Sequence, residues 1–268
     1  MFENNADQNT LPDVQSETDT RQVRIQKVGV TNIRHPFSFQ SSGREQATIG
    51  NWQMFVSLEA EKRGTHMSRF LEILSGLEGP QSLDSLSQVC GLIVDRLNAN
   101  DAYLSVEFPW FVEKPAPVTG KTGKLDIDVR LEISRGRKSD CVLVIRVPAT
   151  SLCPCSKSIS RFGAHNQRCE LTIEVRFAGG ETVSLDELVS IAESSASAPV
   201  YSVIKRDDEK WVTEQAYENP KFVEDTVREL AHRLQQDARI SWFRCASENF
   251  ESIHSHNAYA TIESGPSD

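Results

Sequence analysis

The stretch "KLDIDVRLEIS", residues 124–134, alternates without a break: Leu125, Ile127, Val129, Leu131 and Ile133 fall on one side of an extended chain, and Asp126, Asp128, Arg130 and Glu132 on the other. Side chains in a strand change face at every residue, so this stretch predicts a strand with one buried and one wet face. A second apolar strand, "DCVLVIRVPATSL" (residues 140–152), follows after a short polar link, which divides the chain near residue 138.

The same order of elements reads outward from that link in both directions. Upstream, "RQVRIQKVGVTNIRHPFSF" and "QATIGNWQMFVSLEA" are strand-like. "MSRFLEILSGL" places Met67, Phe70, Leu71, Leu74 and Leu77 at helical spacing, and "SLDSLSQVCGLIVDRLN" does the same for Leu83, Leu86, Val89, Cys90, Ile93, Val94 and Leu97. "DAYLSVEFPWFVEK" then precedes the opening stretch. Downstream, "RCELTIEVRFAG" reads as a strand, "SLDELVSIAESSA" and "NPKFVEDTVRELAHRLQQD" as helices, and "RISWFRCASENF" and "HSHNAYATIES" as strands. The pattern is ββααββ twice, an α+β architecture repeated without obvious sequence identity. It predicts antiparallel sheets with helices on one face, closing into a barrel by oligomerisation. The expected division is a disordered N-terminal tail (1–20), an N-terminal module (21–138) and a C-terminal module (139–268).

Composition narrows the function. The chain has 268 residues, 38% hydrophobic and 25% charged, with no apolar run near the roughly 20 residues that a membrane span requires. A formal net charge of -9 argues against nucleic-acid and anionic-membrane partners. The first twenty residues lack the basic leader and apolar core of a targeting signal, so a cytoplasmic location is expected. The six cysteines are unevenly spaced and do not form a disulfide framework.

Chemistry concentrates in "SLCPCSKSISRFGAHNQRC", residues 151–169. Cys153, Cys155, His165 and Cys169 invite a closed zinc site. Strand alternation, however, puts Cys169 with Leu171, Ile173, Val175 and Phe177 on the core face. What remains suits an open catalytic metal site with room for water, while structural zinc and a redox C-x-C pair stay as alternatives.

Two further segments carry reactive groups. "SENFESIHSHNAYA" holds Glu248, Glu251, His254 and His256, the histidines sharing a side if the segment is extended. In "ENPKFVEDTVREL", Asn219 is the expected N-cap, Pro220 the first helical residue and Glu224 a first-turn carboxylate. Glu224 either serves the helix dipole or accepts paired N–H bonds from a ring ligand. In "KRDDEKW", Lys205 and Arg206 could meet phosphates and Glu209 a metal, or the run could be a solvated face.

In order along the chain, "PDVQ", "KVGVTNIRHP", "GTHMSRF", "SLCPCSKSIS", "GAHNQR", "KRDDEKWVTEQAYENPKFVED" and "ENFESIHSHNAYA" together resemble the type IB GTP cyclohydrolase I family of prokaryotes. The resemblance implies the tunnelling fold (T-fold) and a homotetramer with sites between subunits. It implies conversion of GTP and water to 7,8-dihydroneopterin triphosphate and formate, the opening step of pterin and tetrahydrofolate biosynthesis. It also implies a divalent metal, manganese or zinc with iron allowed, held by Cys153, His165 and Glu209. Cys155 is then an alternative ligand or a catalytic thiol, Glu224 the guanine anchor, and Glu251, His254 and His256 acid/base groups. For the triphosphate, Lys205 and Arg206 are preferred over Lys157, Arg161 and Arg69, with His66 a further candidate. Two alternatives are a queuosine-pathway nitrile reductase of the same fold, whose "ESKS" segment is missing here, and a zinc-stabilised non-catalytic oligomer.

Overall fold

In the computed structural model, which describes residues 13–178 and 180–265, two long strands open the chain, β1 (Ile25–Ser41) and β2 (Arg44–Leu58). Ser42 and Gly43 join them, both at positive φ, as a two-residue hairpin requires for the strands to twist together. Then come α1 (Met67–Ser75), the short β3 (Pro80–Gln81), α2 (Leu83–Leu97), β4 (Ala102–Pro115) and β5 (Thr122–Arg135). The second half runs β6 (Asp140–Leu152), α3 (Pro154–Ile159), β7 (Asn166–Phe177), α4 (Leu185–Ser195) and β8 (Ala198–Pro199). It ends with α5 (Arg206–Glu218), α6 (Val223–Gln235), β9 (Ile240–Asn249) and β10 (Ala258–Ser264).

All ten strands join one sheet, nine of them in the order β10-β9-β7-β6-β5-β4-β2-β1-β3 with β8 beside β6, antiparallel except for β1 with β3. The halves meet at the β5–β6 ladder, where Leu131 faces Leu143 and Val129 faces Ile145. Beyond Arg146 the two strands part, and β8 takes the vacated edge of β6, pairing Pro199 with Ala149 and Ala198 with Thr150. The sheet does not close on itself within one chain: β10 ends it on one side, β1 with β3 on the other.

Helices α1, α2, α4 and α6 cover one face, and the apolar residues of the alternating strands meet them there. Leu131, Leu171, Ile145 and Ile173 are fully buried, each worth about 1.5–3 kcal/mol relative to exposure. A single core cluster runs from Phe39 and Trp52 in the first half to Leu230 and Cys245 in the second. The opposite face carries ion pairs, among them Arg146–Glu107 (3.1 Å), Arg176–Asp140 (2.8 Å) and Arg244–Glu174 (2.7 Å). The predicted order, twofold repeat and single helix layer are all present. Among the described residues no helix is long and apolar enough to cross a membrane.

Several local expectations need correction. Of the expected tail 1–20, residues 1–12 lie outside the described residues. Residues 13–20 dock on the segment after β2, through Asp19 N to Glu61 O (2.8 Å), Arg63 N to Glu17 O (3.1 Å) and Gly64 N to Gln15 O (3.1 Å). On α1, Met67 and Leu71 are exposed and Ile73 is buried, because the core-facing stripe centres on Phe70 and Leu74. Asn219 is not the N-cap of α6. It closes α5, and its Nδ2 donates to the carbonyls of Ala196 (3.0 Å) and Ser197 (3.1 Å). The N-cap of α6 is Phe222, whose N–H donates to Asp225 Oδ2 (3.0 Å).

Candidate active site

The last rungs of the β6–β7 ladder hold Cys153 and His165 side by side. Leu152 pairs with Asn166, and Cys153 N donates to His165 O (3.2 Å). Between them the chain makes α3, with Pro154 in its first turn and Cys153 as N-cap, where Sγ accepts from Ser156 N (3.5 Å). One hydroxyl fastens both residues: Ser156 Oγ donates to Cys153 O (3.2 Å) and accepts from His165 N (3.1 Å).

The His165 ring is oriented from behind. Its Nδ1 lies 3.0 Å from Oε1 of the buried Gln167. An amide oxygen only accepts, so this contact suits the tautomer with its proton on Nδ1, the one a metal-binding histidine uses. Ser252 Oγ also approaches Nδ1 (3.4 Å), bringing the β9–β10 connection to the same ring. Cys155 is exposed in the first turn of α3. Cys169 lies in the core as expected, where burial pushes its thiol up to about 12.

The other predicted residues lie on separate elements, each with a link to the neighbourhood of this pair. Glu209 is exposed in the first turn of α5, on the helical stripe of Val212 and Ala216. Those two pack with Leu152, Ala164 and Ala198, beside Cys153 and His165. Lys205 and Arg206, both exposed, begin the same helix. Glu224 is exposed in the first turn of α6, whose approach is tied to the end of β6 by Lys221 N to Leu152 O (3.1 Å). Glu251, His254 and His256 sit in the connection between β9 and β10, not in a strand. The expected extended segment begins only at Ala258, yet the two imidazoles still stack, centroids 5.1 Å apart.

Among the described residues no three His, Cys, Asp or Glu side chains converge to metal-binding distance. The donor chemistry nevertheless fits a divalent metal: a thiol and an imidazole on backbone-paired residues, the imidazole with a partner at Nδ1, and a carboxylate on the helix that packs beside them. Lys157 turns away toward the C-terminal end of α5, donating to Tyr217 O and lying 4.3 Å over the Tyr217 ring. Arg161 lies against Phe162 (5.4 Å). Arg69 bonds Arg96 O (3.2 Å) in the first half, and His66 faces Asp13 (3.6 Å).

Sequence reasoning passed over the polar residues that hold the site together. Beneath the rim, Asn249 Nδ2 donates to Ser151 Oγ (3.0 Å), joining the ends of β9 and β6. Asp208 is fully buried and accepts from Val118 N (2.9 Å), Thr119 N (2.8 Å), Thr119 Oγ1 (2.7 Å) and Lys205 N (2.9 Å). Burial alone would raise its pKa; those bonds outweigh it and hold the carboxyl well below the usual range. For Gln167 a signal existed, since it shares the inward face of β7 with Cys169.

A family model described as type I GTP cyclohydrolase folE2 matches residues 11–260. The chain belongs to that family. Among its relatives, the GTP cyclohydrolase FolE2 of Paraburkholderia xenovorans is 48% identical over 255 residues, covering 94% of both chains. That of Magnetococcus marinus is 47% identical over 257 residues, covering 95% of this chain and 96% of the relative. The description is coarser than the IB subdivision expected from sequence and names the folE2 family instead. Among solved structures, a uricase from Bacillus fastidious superposes with a TM-score of 0.54 at 9% identity, covering 90% of this chain and 92% of the other. Urate oxidase from Bacillus subtilis gives 0.51 at 10%, covering 89% and 98%. At such identity the likeness concerns the fold alone, and that fold is the tunnelling fold expected above.

Proposed function

We propose that the protein converts GTP and water to 7,8-dihydroneopterin triphosphate and formate, with Cys153, His165 and Glu209 holding a divalent metal, manganese or zinc. Membership of the family supports the reaction. The observation that carries the site is the Cys153–His165 pair, pinned by Ser156, with the imidazole held at Nδ1 by Gln167. When bound, the metal supplies Lewis acidity for the two hydrations, at guanine C8 and at the formamide left by ring opening.

The chain's own groups supply the rest. Glu224, at the positive end of α6, accepts the adjacent N–H donors of the guanine edge. Lys205 and Arg206, at the N-terminus of α5, face the triphosphate. His254 and Glu251, on the connection that reaches His165 through Ser252, exchange protons with the opening ring and the rearranging ribose, and Cys155 and His256 stand beside them. These groups form a set spread over separate elements of one chain. A concavity of about 430 Å³ between Lys27, Tyr103, Glu107 and Arg130 shares no residue with it. In this reading a second subunit completes the set, as in a homotetramer whose sites lie between subunits.

The test is formate and pterin release from GTP by purified protein after chelation, and again after adding manganese or zinc. Metal-dependent release is expected. A folded oligomer that binds metal and leaves GTP intact under either metal would retain the fold and lose the reaction.

A further inference from the structure

The turn between β4 and β5 belongs to the first half, yet it is fastened to the start of α5 in the second. Two contacts hold the flanking strands to α4 and to the segment before α5, and a third joins the turn to α5 itself. Lys114 on β4 pairs with Glu193 of α4 and lies 4.2 Å over the Tyr201 ring. Gly123 on β5 passes so close to the segment before α5 that a Cβ there would stand 2.3 Å from Ser202 Oγ and 2.9 Å from Val203 Cγ2. Finally, Val118 and Thr119 give three hydrogen bonds to Asp208.

Asp208 does more than end a helix. Capping α5 is served by its bond from Lys205 N alone. Its other acceptor sites all point at the β4–β5 turn, and a carboxylate offers about four such sites, so its capacity is filled. Its neighbours Asp207 and Glu209 are exposed, and Asp208 alone of the three is buried. We infer that Asp208 is a positioning residue: by locking the first turn of α5 to the β4–β5 turn, it fixes where Glu209 and Lys205 point relative to Cys153 and His165. This rests on the assignment of Glu209 as a metal ligand.

The test is equilibrium binding of Mn²⁺ to metal-stripped full-length protein, with oligomer size and unfolding temperature measured alongside. Glu209→Gln establishes the ligand. Asp208→Asn, which cannot accept all four bonds, should weaken Mn²⁺ by on the order of tenfold or more, as groups that orient metal ligands do. Thr119→Val removes one bond and is the safer variant to fold; it should weaken Mn²⁺ several-fold, and Thr119→Ser, which keeps the hydroxyl, should restore it. In a Glu209→Gln background the Thr119→Val effect on Mn²⁺ should vanish. If Glu209→Gln binds Mn²⁺ as the wild type does, the ligand set falls and this inference falls with it. If Glu209→Gln weakens Mn²⁺ while Thr119→Val lowers only the unfolding temperature, the ligand set stands and the positioning role of Asp208 is overturned.

Discussion

The two halves share one order of elements but differ at their connections. Where the first half joins its opening strands with Ser42 and Gly43, the second inserts residues 153–165, with α3 and the Cys153–His165 pair. Between its two covering helices the first half has β3; the second has β8 and α5, with Lys205, Arg206 and Glu209. The first half turns from β4 to β5 over residues 116–121, and the second goes from β9 to β10 over 250–257, with Glu251, His254 and His256. The candidate residues thus lie where strands and helices end, outside the core that the two halves share. The first half's connections are not idle either, since its β4–β5 turn holds Asp208.

The largest expected effect tests whether reactivity is confined to the inserted connections. Cys153→Ala and His165→Ala should lose metal and bring formate release to background. Cys90→Ala, in the first half and fully buried, should keep metal and turnover and cost roughly 0.5–3 kcal/mol of stability. Wild-type metal content in Cys153→Ala would end the contrast.

Next in size are the cores, where the halves should behave alike. Leu131 on β5 and Leu171 on β7 are fully buried in one cluster, so Leu131→Ala and Leu171→Ala should each cost about 2–5 kcal/mol in denaturant unfolding. Both should unfold in one transition; two separate transitions would mean that the halves are independent units and the β5–β6 ladder a mere contact.

A smaller effect separates two carboxylates in equivalent places. Asp84 stands in the first turn of α2 and Glu224 in the first turn of α6, both exposed. Glu224→Gln should weaken GTP binding by about 1.5–3 kcal/mol if a charge-assisted contact is lost. Asp84→Asn should leave GTP binding unchanged and alter stability by about 0.3–1 kcal/mol through the helix dipole. Equal behaviour of the two variants toward GTP would return Glu224 to the dipole role.

What could be read from sequence follows the same division. The strands and the helices α2, α4 and α6 bury a regular stripe, so period 2 and period 3.6 reveal them. Helix α5 buries only Asp208 and Ala216, and its charged run hides a helix held by polar bonds. The Asn219–Pro220 pair signals a helix stop as readily as a start, and here it is the stop. Residues 13–20 dock through backbone groups, which composition does not display. Cys153 and His165 were legible as residue types and Gln167 by its inward position on β7, whereas Ser156 and Asp208 act through geometry that spacing does not encode.

The smallest effect concerns acid, and it asks whether the halves also share their electrostatics. Asp101 in the first half is held below its ordinary value of 3.8, chiefly by the Arg137 N–H (2.9 Å), with Arg24 at 3.0 Å adding to it. Glu187 in the second is lowered first by the Ser184 hydroxyl (2.6 Å) that completes the cap of α4. A carboxylate depressed by folding contributes stability that is full above its unfolded value and lost as pH falls through its folded value. Glu193 works the other way: burial raises it, so its contribution favours the fold as pH falls toward 4.5. Unfolding temperature should therefore drop as pH falls from the ordinary carboxylate range, about 4, through the lowered folded values. Asp101→Asn and Glu187→Gln should each be less stable than wild type at neutral pH and converge on it in acid. If only one of them converges, the acid response belongs to one half, and the symmetry that holds for the core does not extend to the charges around it.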